Sequence, residues 1–145
     1  MGKKRTANKV EQNRSDSGKR TRVLSKIPKK KISRGVVFVE ATFNNTKVLF
    51  TEPGGNVVMW VTSSTLGFSS AKKATPYAAA KVAEAIAEKA MAIGVKDIDI
   101  IVKGVGSGRE SALRSFLNRG FVVHSIRDRT PVPHNGPRRK KPRRV

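Results

Sequence analysis

VVFVEATFNNTKVLFTEPGGNVVMWVT, residues 36–62, decides the fold. Residues 36–43 and 46–51 are rich in β-branched and aromatic side chains, which suit a pleated, half-buried surface. Asn44 and Asn45 between them tolerate positive φ and supply a tight turn. Pro53, Gly54 and Gly55 supply a second turn, and residues 57–62 return as a third strand. The stretch is therefore an antiparallel meander. Beyond it, residues 63–74 form a loop of small residues that carries Lys72 and Lys73. Thr75 is a good helix cap, and Pro76 suits the first helical position, where its missing N–H costs nothing. Ala79, Val82, Ala83, Ile86, Ala90 and Ile93 then recur on one helical face, with Lys81, Glu84 and Glu88 opposite. Gly94 closes this helix, and its alanine-rich face predicts close approach to the sheet. Residues 97–102 (DIDIIV) make a fourth strand whose apolar run predicts burial on both faces. A glycine loop, 104–108, leads into a shorter helix at about 109–118, ended by Gly120, and residues 121–126 make a fifth strand. The order βββαβαβ is an α/β fold with a mixed five-stranded sheet and helices packed on it. Its later strand-helix-strand units should cross over right-handedly and pair in parallel.

Charge divides the chain differently. The 145 residues carry 31 Lys and Arg against 10 Asp and Glu, a formal net charge of +21. Residues 1–34 hold 13 basic and 2 acidic side chains, residues 35–126 hold 10 and 7, and residues 127–145 hold 8 and 1. The expected organisation is a basic extended N-terminal arm over 1–34, an α/β domain over 35–128 and a Pro/Arg-rich tail over 129–145. The arm has few apolar residues and cannot repay its ordering entropy without a partner. Such a charge calls for a polyanion, and released counterions add to the driving force when the polyanion is a nucleic acid. An anionic membrane is the alternative, since Met1-Gly2 with Thr6 matches a myristoylation pattern, although that pattern is short and common. No stretch approaches the ~18 apolar residues of a spanning helix, and the first residues lack the apolar core of a secretory signal. Cysteine is absent, which excludes disulfides, thiolate nucleophiles and Cys-based zinc sites. His124 and His134 alone make no metal site. The expectation is an intracellular chain without metal, cofactor or small-molecule substrate.

Four segments carry candidate chemistry. GVGSGRES, residues 104–111, joins a strand to a helix, so free N–H groups and the positive end of the helix dipole converge on a spot suited to phosphate. Gly106, Gly108 and Arg109 are its candidate contacts; the loop reads equally as a tight turn that needs positive φ. Thr42, Asn44, Asn45 and Thr46 around the first turn, with Lys72 and Lys73 before the long helix, could reach phosphates or sugar hydroxyls. Lys29, Lys30, Lys31 and Arg34 end the basic arm. The C-terminal run begins with Arg127 and Arg129, continues through His134 and Asn135, and ends in Arg138, Arg139, Lys140, Lys141, Arg143 and Arg144. Its prolines keep it extended and easy to order between RNA helices. Glu40, Glu84 or Glu88, and Asp97 or Asp99 raise a two-metal nuclease as an alternative. Two placements argue against it. Asp97 and Asp99 lie at the start of their strand, whereas such sheets bind ligands beyond the carboxyl ends, and the helix acids face away from the apolar stripe.

ATFNNT (41–46), KKATPYAA (72–79), VKGVGSGRESALR (102–114) and DRTPVPHNGPRRKKPRRV (128–145) occur in order and together. From residue 35 to the C-terminus the chain resembles the bacterial form of the S-eleven family of small-subunit ribosomal proteins. The resemblance implies an RNase-H-like α/β domain without catalytic acids that binds small-subunit ribosomal RNA on the platform of the cytoplasmic ribosome. It implies S-seven, S-eighteen and S-six as neighbours, the mRNA exit region close by, and RNA contacts at the turn 42–46, Lys72-Lys73, the loop 106–109 and the tail 134–144. The sequence departs from the family pattern twice. The glycine loop commonly reads GPGPGRE, where Val105 and Ser107 stand here. After HNG the tail commonly has a Cys and two prolines, where this chain has Pro137-Arg138-Arg139.

Overall fold

Strand β1 (Arg34–Ala41) alternates strictly: Val37, Val39 and Ala41 are buried, while Val36, Phe38 and Glu40 on the other side are only half-buried. The computed structural model to which this strand belongs describes residues 31–138, 140 and 141. β2 (Thr46–Thr51) and β3 (Val57–Thr62) complete the meander with the bounds that their turns predict. β4 (Asp97–Lys103) and β5 (Val122–Asp128) follow helices α1 (Pro76–Ile93) and α2 (Gly108–Asn118). The sheet order is β3-β2-β1-β4-β5, with antiparallel pairing within the meander and parallel pairing of β4 to both β1 and β5.

β1 ends two residues before the predicted limit, because Thr42 turns the chain by bonding through its N–H to the carbonyl of Asn45 at 2.9 Å. Phe43 therefore lies in the turn and not in the strand. Two short 3₁₀ turns, Ser64–Leu66 and Ser70–Ala74, interrupt the stretch read as an irregular loop. β4 departs from expectation as well. Ile98, Ile100 and Val102 are buried, whereas Asp97, Asp99 and Ile101 are half-buried, so only one face is fully covered. The topology supplies the reason. β3 to β4 and β4 to β5 step across the sheet in the same direction, and two right-handed crossovers in one direction place both helices on one face.

The core lies between that face and the helices. Val37, Val39, Val48, Phe50, Ile98 and Ile100 meet Val82, Ile86 and Phe116 there. Ala78, Ala79, Ala83, Ala87 and Ala90 are all buried along α1, so the helix approaches β2, β3 and α2 closely. Ile32 joins the core from the segment read as arm, so packing begins before residue 35. Lys89, 4% exposed, is the only buried charged residue among the described residues, and burial lowers its pKa. On the opposite face, which carries no helix among the described residues, the register sets Trp60, Leu49, Phe38 and Ile101 side by side across four strands, with Arg127 next in line.

Candidate nucleic-acid interface

Three sequence-distant loops and the start of the tail meet at the carboxyl ends of β1 and β4. The turn after β1 is built on Thr42, whose Oγ1 donates to the Asn45 carbonyl at 3.0 Å and accepts from the Asn45 N–H at 3.1 Å. At its tip Phe43 is 76% exposed and Asn44 is exposed. The glycine loop is docked against this turn. Gly106 donates its N–H to the carbonyl of Ala41 at 2.9 Å. A Cβ on Gly104 would enter the Ala41 carbonyl, and one on Gly106 would enter that of Thr42. Gly104 also has a φ of +101°, so the tight-turn reading of this loop has its structural basis, with close approach to β1 as a second constraint. Ser107 Oγ donates to the carbonyl of Ala74 at 2.9 Å and brings in the Lys72-Lys73 segment. Thr75 caps α1 by accepting from the Ala78 N–H at 3.3 Å, and donates to the Lys72 carbonyl at 2.8 Å.

The tail leaves from the same place. Arg129 donates its N–H to the Val102 carbonyl at 2.8 Å, and the Gly104 N–H donates to Thr130 Oγ1 at 3.1 Å. The chain is thus hydrogen-bonded to the domain through Thr130. An open hollow beside this junction is lined by Gly106, Ser107, Arg109, Glu110, Ser111 and Arg114. No side chain caps the start of α2. The Arg109 N–H is bonded to the Gly106 carbonyl at 3.2 Å and Arg114 pairs with Glu110 at 3.3 Å, so the helix dipole adds its positive potential to that of the nearby lysines.

Several candidate residues have narrower roles than their sequence context suggests. Thr46 is fully buried, with its Oγ1 inside against Gly108, so its side chain offers no surface to a ligand. Gly106 and Gly108 are buried too, so the pair shapes the loop. Arg109 has an internal partner: its Nη2 lies 2.6 Å from Asp128 Oδ2, and its Nη1 donates to the Gly104 carbonyl at 3.2 Å. The cation in the first turn of α2, where the dipole disfavours it, is balanced by this carboxylate. Thr42, Asn44, Lys72 and Arg129 are exposed at the convergent end, Asn45 and Lys73 are half-buried there, and Arg127 is exposed on β5. His134, Asn135, Arg138, Lys140 and Lys141 are exposed along the tail. Lys31 and Arg34 are exposed at the opposite end of β1, about 23 Å away at the strand rise. Arg34 pairs there with Asp99 at 2.9 Å. Lys29, Lys30, Arg139, Arg143 and Arg144 lie outside the described residues.

The acids form no catalytic group. Glu40 lies 3.9 Å from both Lys47 and Lys103. Asp97 pairs with His124 at 3.0 Å. Hydrogen bonds from Ser125 and then Arg34 hold Asp99 below the usual carboxylate range. Glu40 and Asp99 stand four residues apart in register, about 13 Å. Among the described residues no three His, Cys, Asp or Glu side chains are grouped to hold a metal. Conversely, Tyr77 and Arg114 belong to the convergent surface and lie outside the segments named as contacts, while Phe43 and Ser107 lie within them without being singled out. Tyr77 is 65% exposed in the first turn of α1, edge-on to Phe68. The available signal was the Thr42 hydroxyl before Asn44-Asn45, which ends the strand early and turns Phe43 outward.

Comparison with known proteins gives a consistent match. The sequence model of a family described as Ribosomal protein S11 matches residues 35–144. A Chlamydia muridarum protein, Small ribosomal subunit protein uS11, is 48% identical over 116 residues, covering 80% of this chain and 88% of that protein. A Chlamydia pneumoniae protein of the same name is 49% identical over 116 residues, covering 80% and 87%.

Proposed function

Because the chain belongs to the ribosomal protein S11 family, we propose that its convergent loop end and its tail bind small-subunit ribosomal RNA as a structural part of the small subunit. The chain is not an enzyme: the family is one of structural ribosomal proteins. The observation that carries the RNA reading is the junction of the β1–β2 turn, the Lys72-Lys73 segment and the glycine loop with the root of a cationic tail. Rigid loops present fixed N–H groups and cations to folded RNA, while the tail follows a phosphate groove. Exposed Phe43 and Tyr77 offer ring faces for unpaired bases. The mechanism is neutralisation of phosphates where RNA helices pack closely, with release of their counterions.

A finer reading follows from the family resemblance: a seat on the platform of the cytoplasmic ribosome, beside proteins of the S-seven, S-eighteen and S-six families and the mRNA exit path. Cross-linking of the assembled subunit, with recovered pairs assigned by mass spectrometry, tests these neighbours.

The RNA reading is tested with the full chain and deproteinised small-subunit ribosomal RNA. Replacing Arg138, Arg139, Lys140, Lys141, Arg143 and Arg144 by Gln should weaken binding and flatten its salt dependence, by ~0.7–0.9 in the log–log slope for each phosphate no longer neutralised. An unchanged slope would remove the tail from the interface. Magnesium-dependent RNA cleavage that disappears with Glu40→Gln or Asp99→Asn would revive the nuclease, and preference for anionic vesicles over RNA would favour a membrane role.

A further inference from the structure

Asp128, Thr130, Gly104 and Arg109 form a closed ring of hydrogen bonds at the root of the tail. Asp128 Oδ2 accepts from Arg109 Nη2 at 2.6 Å. Its Oδ1 accepts from the Thr130 hydroxyl at 2.6 Å and from the Thr130 N–H at 2.9 Å. The same hydroxyl accepts from the Gly104 N–H at 3.1 Å, and the Gly104 carbonyl accepts from Arg109 Nη1 at 3.2 Å. Every polar atom in the ring has a partner suited to it, and the Thr130 hydroxyl serves as donor and acceptor at once. We infer that this ring is a latch that sets the direction in which residues 131–145 leave the domain, with Asp128 and Thr130 as positioning residues for RNA binding by the tail.

The inference rests on the RNA-binding reading of the tail. Its physical basis is preorganisation: a tail whose first residue has a fixed position and heading loses less freedom on binding than one pivoting from residue 128. The latch also explains a carboxylate in the most basic part of the described chain. Asp128 faces Arg109 directly, and among the described residues its only other partner is Thr130. Electrostatics alone and the latch therefore predict opposite signs for its removal. Asp128→Asn raises the net charge by one, which on charge alone tightens RNA binding.

The experiment measures affinity of the full chain for deproteinised small-subunit ribosomal RNA at fixed salt, beside tryptic cleavage after Arg129 in the free protein. Asp128→Asn and Thr130→Val should each weaken binding about three- to tenfold and speed that cleavage by about tenfold, since Asn turns an NH2 towards Arg109 and breaks that ion pair, and Val removes both hydrogen bonds of the hydroxyl. Thr130→Ser, which keeps the hydroxyl, should behave as the parent in both assays. With the six tail cations replaced by Gln, Asp128→Asn should no longer weaken binding. Tighter or unchanged binding by Asp128→Asn in the parent chain overturns the latch, even if the Gln-substituted tail binds poorly and so upholds the RNA-binding reading. A Gln-substituted tail that binds as well as the parent overturns that reading and the latch with it. Loss of the thermal transition in Thr130→Val leaves the decision to Asp128→Asn and the Ser variant.

Discussion

Asp128 illustrates how much one side chain in a basic protein depends on its partners. Hydrogen bonds from the Thr130 hydroxyl, then from Arg109, then from the Thr130 N–H lower its pKa to about 2. A folded-state pKa below the unfolded value of roughly 3.9 means that the unfolded chain takes up the proton first. The stabilisation is therefore fully present above about pH 4 and is lost as pH falls through about 2. Thermal melts of the parent and Asp128→Asn should differ at pH 5, and the gap should narrow steadily towards pH 2. A gap independent of pH would assign the difference to packing. Lys89 shows the reverse case, a cation whose pKa burial lowers, with no acidic partner among the described residues.

At the scale of elements, the decisive contact is the glycine loop on β1. Gly104 meets two constraints, a φ of +101° and the Ala41 carbonyl. Gly120, after α2, meets one: its φ is +81°, but a Cβ there would find nothing within 4 Å. Gly104→Ala should cost about 2–4 kcal/mol and Gly120→Ala about 1–2 kcal/mol, read from urea unfolding. Equal costs would mean that the loop yields and that its docking on β1 is loose. The α1 contact works the same way from the other side, since a Cβ on Gly108 would meet that of Ala79.

For the whole molecule, charge is segregated by face and end. At the convergent loop end Lys72, Lys73 and Arg129 have no acidic partner among the described residues, whereas Arg109 and Arg114 are paired with Asp128 and Glu110; the carboxylates of the opposite sheet face are matched to Lys47, Lys103, Arg34 and His124. Trp60, 54% exposed, stands on that balanced face. Trp60→Ser should leave RNA affinity and its salt slope unchanged and lower stability by about 1 kcal/mol. A fall in RNA affinity would extend the RNA surface to the sheet.

The sequence by itself determined the elements. Asn44-Asn45, Pro53-Gly54-Gly55, Thr75-Pro76 and Gly94 are local stereochemical signals, and the bounds of β2, β3 and α1 follow from them because turns and caps are settled within a few residues. The four-motif match from residue 35 onward likewise identified the family, because residue order needs no coordinates. The tertiary structure decided what those residues do. Burial of Thr46 and pairing of Arg109 with Asp128 depend on neighbours 62 and 19 residues away, and no periodicity records such distances. The single covered face of the sheet depends on the direction of two crossovers, a property of the path and not of any one strand. The root of the tail at Thr130 was likewise illegible, because a threonine between basic and proline residues reads as linker until its hydroxyl meets the N–H of Gly104.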